Sequence, residues 1–224
     1  QLNALSILGH QGSRLIALRH TFASQAPRGP NSKQFAEESP STSRRNALLR
    51  QLSPALAQNE LTVHFQPKID LGSRRVTGFE ALVRWGHPTL GFVLPEEFIP
   101  LAETSGQIAM LTPWVLEQAL ARAHAAGWPD RGLQVAVNLS ARNLQDAGLP
   151  GQIGSILKNW NFPPHLLTLE ITESAVMSDF AAALVILNQL REIGISLSVD
   201  DFGTGHSSLA YLKELPLQEM KIDR

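Results

Sequence analysis

Asp200 and Asp201 are adjacent carboxylates that close an apolar strand and lead into a flexible glycine loop, Phe202-Gly203-Thr204-Gly205. Two neighbouring carboxylates repel, and one is driven toward its neutral form unless a metal ion or another cation lies between them. Ile195, Leu197 and Val199 alternate, so Ser196, Ser198 and Asp200 share the other face of the strand. The same residues allow a plainer role, in which an Asp ahead of the glycine loop caps a helix over 207–215.

The two-residue period repeats this outcome along four other strands. Phe79, Ala81 and Val83 leave Glu80, Leu82 and Arg84 on the opposite face. Val135, Val137 and Leu139 leave Asn138, and Leu167, Leu169 and Ile171 leave Glu170. Met220 and Ile222 leave Glu219, Lys221 and Asp223. Glu80, Asn138, Glu170, Asp200 and Lys221 therefore stand on the less apolar faces of separate strands. With helices covering the outer face, these groups converge inside a barrel, near the strand ends. Three acids and an amide against one lysine leave negative charge uncompensated, and a buried ionised carboxylate costs several kcal/mol unless paired. All-oxygen ligands suit Mg²⁺ or Mn²⁺, and Asp200 with Asp201 leaves room for two ions. The alternative is a buried ion-pair network centred on Lys221.

The elements that position these groups follow from periodicity and punctuation. Strands are expected near 62–69, 75–84, 133–139, 167–172, 195–200 and 218–223. Helices are expected over 44–58, 96–105, 113–126, 141–159, 179–193 and 207–215, most of them closed by Gly, Pro or Asn. Alternating strands and helices imply a parallel sheet, whereas the short polar turn at Leu71-Gly72-Ser73-Arg74-Arg75 makes the first two strands antiparallel neighbours. Residues 1–43 form an unassigned segment and a Ser/Pro/Gly-rich linker, and residues 44–224 form the folded domain.

Composition bounds the function. The 224 residues carry 43% hydrophobic and 17% charged residues and a formal net charge of −1, as expected of a soluble globular protein. The 19 Lys and Arg residues form no basic stripe, which argues against a nucleic-acid polymer as partner. The absence of cysteine excludes disulfides and thiolate metal sites. No apolar run reaches the roughly 20 residues of a membrane helix. A cytoplasmic location is expected, with any anchor lying outside this chain. Gln1 is not a start methionine, so a larger parent protein is expected.

Longer motifs carry a resemblance. Gln66-Pro67, Glu80-Ala81-Leu82-Val83-Arg84-Trp85, Phe98-Ile99-Pro100-Leu101-Ala102-Glu103, Asn138-Leu139-Ser140, Glu170-Ile171-Thr172-Glu173, the Asp200-Asp201 loop and Lys221-Ile222-Asp223-Arg224 stand in an order that resembles the EAL domain family. The resemblance implies an α/β, TIM-barrel-like (β/α)8 fold with one antiparallel strand. It also implies hydrolysis of the bacterial second messenger cyclic di-GMP to linear pGpG with Mg²⁺ or Mn²⁺. By similarity, Glu80, Asn138, Glu170 and Asp200 hold a first ion, and Asp200 with Asp201 a second. Lys221 orients or activates the attacking water. Glu173 steadies the glycine loop after Asp201, a loop associated with homodimerisation. Arg84 contacts a phosphate, and Gln66, Leu82 and Asp223 line the nucleotide cleft. His87 and His206 are expected on the surface or in loops, His206 standing where the family usually has Tyr.

Only about six strands fit between residue 44 and the last residue, whereas a closed eight-stranded barrel takes about 250 residues. The domain is therefore expected to be incomplete at its C-terminus, and the chain by itself inactive. Two other functions compete with the hydrolase. One is a non-catalytic receptor that binds cyclic di-GMP and passes the signal on; the other is a structural dimerisation domain, in which the glycine loop matters and Glu80 does not.

Overall fold

The computed structural model describes residues 40–202 and 213–222. Nearly all of the N-terminal segment and linker, the glycine loop with its expected dimer contact, His206, most of the helix expected over 207–215, and Asp223 lie outside the described residues.

Helix α1 (Pro40–Ala57) leads into strand β1 (Leu61–Ile69), which turns back into β2 (Val76–His87). The turn closes locally: Ser73 N donates to Asp70 Oδ1 at 2.7 Å, and Arg74 takes a left-handed φ of 57°. β1 and β2 are antiparallel, with Thr62 opposite Arg84, His64 opposite Leu82 and Gln66 opposite Glu80. A three-residue strand, β3 (Gly91–Val93), folds back onto the end of β2. Then follow α2 (Pro95–Ser105), α3 (Ile108–Ala125), β4 (Gln134–Leu139), α4 (Leu149–Asn159), β5 (Leu167–Thr172), α5 (Glu173–Ser178), α6 (Phe180–Ile193), β6 (Ser196–Phe202) and β7 (Glu219–Ile222). The sheet order is β1-β2-β4-β5-β6-β7, parallel from β2 onward. This is the mixed sheet with one antiparallel strand that the sequence implies, a partial TIM-barrel-like fold. The one antiparallel strand of that order is β1; the short β3, off that order and also antiparallel to β2, is an addition to the six strands expected.

The outer face of the sheet carries the core. Val135, Val137, Leu167, Leu169, Leu197 and Val199 are buried together with Leu116 and Leu120 of α3, Ile153 of α4 and Leu187 and Leu190 of α6. That face leaves the opposite one for polar groups, which is what the two-residue period requires.

Three local expectations change. α3 starts at Ile108 rather than at Pro113, because Ile108, Leu111 and Thr112 continue the buried stripe of Val115, Leu116, Ala119 and Leu120 at helical spacing. Burial of that stripe outweighs the hydrogen bond that a proline in the second turn removes. The helix expected over 141–159 begins only at Leu149. Ahead of it Asn143 Oδ1 accepts from Ser140 N and Thr112 Oγ1, both at 3.0 Å, a local bonding that competes with helix. His87, expected at the surface, is 4% exposed: its ring bonds Gln51 Oε1, and Nδ1 accepts from Thr89 N and Leu90 N.

Candidate active site

Strands β2, β4, β5, β6 and β7 bring five of the expected residues together. Lys221 Nζ donates to Glu80 Oε2 at 3.1 Å, to Asp200 Oδ2 at 3.2 Å and, in the tightest contact, to Glu170 Oε2. Asn138 Nδ2 donates to Glu80 Oε1 at 2.9 Å. Asn138 and Glu170 are direct neighbours in the parallel register of β4 and β5. Four strands thus supply three carboxylates and a lysine to one point, and a fifth orients Glu80 from the side.

The carboxylates differ in their surroundings. Glu170 exposes none of its side chain, whereas Glu80 and Asp200 keep 19% and 26%. Burial pushes the Glu170 carboxyl above the usual carboxylate range, and the hydrogen bond from Lys221 opposes that rise. Burial also disfavours the Lys221 ammonium, but its bond to Glu170 and the charges of Glu170 and Glu80 outweigh this and hold it above the ordinary lysine range. Lys221 is therefore a fixed cation at neutral pH.

Among the described residues, no three acidic or imidazole groups are arranged to hold a metal ion by themselves; the point where the carboxylates converge is held by Lys221 Nζ. The donor set nevertheless fits a hard divalent ion. It is all oxygen, and three carboxylates against one ammonium leave two negative charges. An ion-pair network around Lys221 uses the same residues and leaves that excess uncompensated.

Asp201 stands apart from the cluster. Its φ of 55° turns the chain out of the strand, its backbone N donates to Asp200 Oδ1 at 2.9 Å, and its side chain is exposed. A non-glycine residue in this region is uncommon and favours Asp or Asn. Asp201 lines an open cleft of about 660 Å³ that also takes in Leu82, Arg84, Asn138 and Glu103, within the size range of small-molecule sites. The Arg84 guanidinium donates to the Val83 carbonyl at 2.8 Å. Gln66 is exposed, across from Glu80 on β1. Glu173 is buried as the first residue of α5, behind the Thr172 N-cap whose hydroxyl accepts from Ala175 N. The loop it was expected to steady lies outside the described residues.

Two charged residues join the site that the motifs do not mark. Lys68 Nζ lies 2.8 and 2.9 Å from the two carboxylate oxygens of Glu219 and 3.5 Å from Glu170 Oε1. Alternation along β1 puts Lys68 on the face of Gln66, and alternation along β7 puts Glu219 on the face of Lys221. The face of Glu219 is already read from the sequence, and the same periodicity along β1 is the signal by which Lys68 could have been found.

A family model described as the EAL domain matches residues 49–224. The chain is 45% identical over 180 residues to the bifunctional diguanylate cyclase/cyclic di-GMP phosphodiesterase MucR of Pseudomonas aeruginosa, covering 79% of this chain and 26% of that protein. It is 45% identical over 177 residues to the cyclic di-GMP phosphodiesterase NbdA of the same organism, covering 78% of this chain and 22% of that protein. The chain spans about a quarter of the length of these curated relatives. A solved structure described as the PaMucR phosphodiesterase, c-di-GMP complex, superposes with a TM-score of 0.74 at 44% identity, covering 79% of this chain and 72% of that chain. The order of motifs, the sheet with its one antiparallel strand and the matched span agree: this chain belongs to the EAL domain family.

Proposed function

We propose that the domain formed by residues 44–224 carries the metal-dependent centre of a cyclic di-GMP phosphodiesterase that yields linear pGpG. The single observation that carries the reading is the convergence of Glu80, Glu170 and Asp200 on Lys221, with Asn138, which also lines the cleft of Arg84, holding Glu80 from the side. Family membership and two relatives named as cyclic di-GMP phosphodiesterases support the substrate.

In this reading Glu80, Asn138, Glu170 and Asp200 hold one Mg²⁺ or Mn²⁺ ion, and Asp200 and Asp201 a second. Such ions, when bound, lower the pKa of a water and stabilise charge on the attacking and leaving oxygens of a phosphodiester. The protein's own residues position and screen. Lys221 orients or activates the attacking water. Arg84 recognises a phosphate as a fixed cation. Gln66, Leu82 and Asp223 line the nucleotide cleft. Glu173, buried beneath the strand ends, steadies the loop after Asp201 and through it a homodimer contact. The domain works in the cytoplasm.

The test takes the domain extended to the closed eight-stranded barrel expected from the sequence, incubates it with cyclic di-GMP and Mn²⁺, with and without a chelator, and follows pGpG. Metal-dependent pGpG that disappears in Glu170→Gln supports the proposal. Cyclic di-GMP binding with no pGpG under any metal would make the domain a receptor instead.

A further inference from the structure

Glu170 is a fully buried carboxylate whose two oxygens are met by two different lysines. Oε2 belongs to Lys221, on the last strand of the sheet, and Oε1 to Lys68, on the first. The two lysines therefore approach from opposite edges of the sheet, and their partners are divided. Lys221 is shared with Glu80 and Asp200; Lys68 is shared with Glu219, which grips it through both carboxylate oxygens at 2.8 and 2.9 Å.

Among the described residues, only Lys68 reaches the far oxygen. Ser198 is the sheet neighbour of both Glu170 and Glu219 and is fully buried, yet its hydroxyl makes no hydrogen bond to any described residue. A carboxylate with one free oxygen can rotate about its last torsion, which is broad and roughly two-fold. Lys68 opposes that rotation, and Glu219 holds the end of the Lys68 stem, which has several rotatable bonds.

We infer that Lys68, anchored by Glu219, is a positioning residue of the metal site: it holds Glu170 Oε1 and so fixes the oxygen that Glu170 presents to the Glu80, Asp200 and Lys221 cluster. The inference rests on the proposed metal site and adds to it a pair of residues behind the ligands. Partners of this kind orient the ligating group, and their loss typically lowers metal affinity roughly 10–100-fold.

Coulomb attraction predicts the opposite sign, so the two accounts separate. Removing a cation beside an acidic cluster should tighten divalent metal binding if Lys68 acts only through its charge. Removing Lys68 and Glu219 together leaves the net charge unchanged, so a charge account predicts little change for the pair. A positioning role predicts loss in both cases.

The experiment is titration of the protein with Mn²⁺ by calorimetry, with folding checked by circular dichroism. The parent should bind Mn²⁺; failure there would overturn the metal site itself, and this inference with it. Lys68→Met and the Lys68→Met/Glu219→Gln double variant should each bind roughly tenfold more weakly, and Lys68→Arg, which keeps a donor to both carboxylates, should stay within about threefold of the parent. Unchanged or tighter binding by Lys68→Met, or parent-like binding by the double variant, overturns the positioning role. If Lys68→Met does not fold, Lys68→Gln replaces it in both variants, with the same readout and the same thresholds.

Discussion

Lys221 and Glu170 form the tightest polar contact of the site, and Glu170 is buried while Lys221 keeps 22% of its side chain exposed. The pair is asymmetric. Water can reach the lysine, but the carboxylate depends on protein groups for its charge.

Replacing Lys221 by Met therefore strands Glu170. Loss of one partner of a buried pair costs about 3–5 kcal/mol, and we expect roughly 2–3 kcal/mol at pH 7, because water and Lys68 compensate in part. The sign with pH follows from burial, which already raises the Glu170 carboxyl. A carboxyl raised in the folded state favours folding at low pH, and that contribution fades as pH rises through the folded value. Without Lys221 the rise is larger. The deficit should be greatest at neutral pH and shrink toward the ordinary carboxylate range, as urea unfolding at pH 7 and pH 5 would reveal. Equal deficits at both values would mean that Glu170 does not depend on the lysine for its charge.

Gly78 faces β4 too closely for any side chain. A Cβ there would lie 2.6 Å from the Gln134 carbonyl oxygen, a backbone atom in the neighbouring strand. Gly78→Ala should destabilise the fold by about 2 kcal/mol and disturb Glu80 two residues on. A melting temperature equal to the parent's would show that β2 and β4 can separate at no cost.

Asp200→Asn should remove the stabilisation that Mg²⁺ or Mn²⁺ confers in a thermal melt, since a ligand that binds only the folded state raises its melting temperature. An unchanged metal response in the variant would take Asp200 out of the site.

Arg84→Ala should weaken cyclic di-GMP binding roughly 10–100-fold, the range expected for losing a charged hydrogen-bonding partner, and leave Mn²⁺ affinity intact. Equal nucleotide affinity in the two proteins would return Arg84 to its bond with the Val83 carbonyl and nothing more.

The convergence of Glu80, Asn138, Glu170, Asp200 and Lys221 was legible because strand alternation is rigid: once Val137 or Leu169 faces the helices, Asn138 or Glu170 must face inward. Extending the same alternation past Trp85 would also have buried His87, which continues the series Ala81, Val83, Trp85. Lys68 escaped because the faces of β1 were not separated, although Gln66 already marks the inner one. Asn143 and the late start of α4 were hidden for a different reason. Its carbonyl is claimed by Thr112, 31 positions away, and no local pattern reports a tertiary bond. The ion pairs themselves depend on how far the sheet curls, which the two-residue period does not set.

The most direct measurement is of the Lys221→Ala variant of the domain extended to the closed barrel, with cyclic di-GMP affinity and the single-turnover rate of pGpG formation determined on the same protein in Mn²⁺. Lys221 is fixed as a cation at the point where charge would develop, so its removal should leave nucleotide affinity nearly unchanged and lower the rate about 10²–10³-fold. A variant that cleaves at the parent's rate would contradict the account, and one that loses affinity while keeping its rate would make Lys221 a substrate clamp.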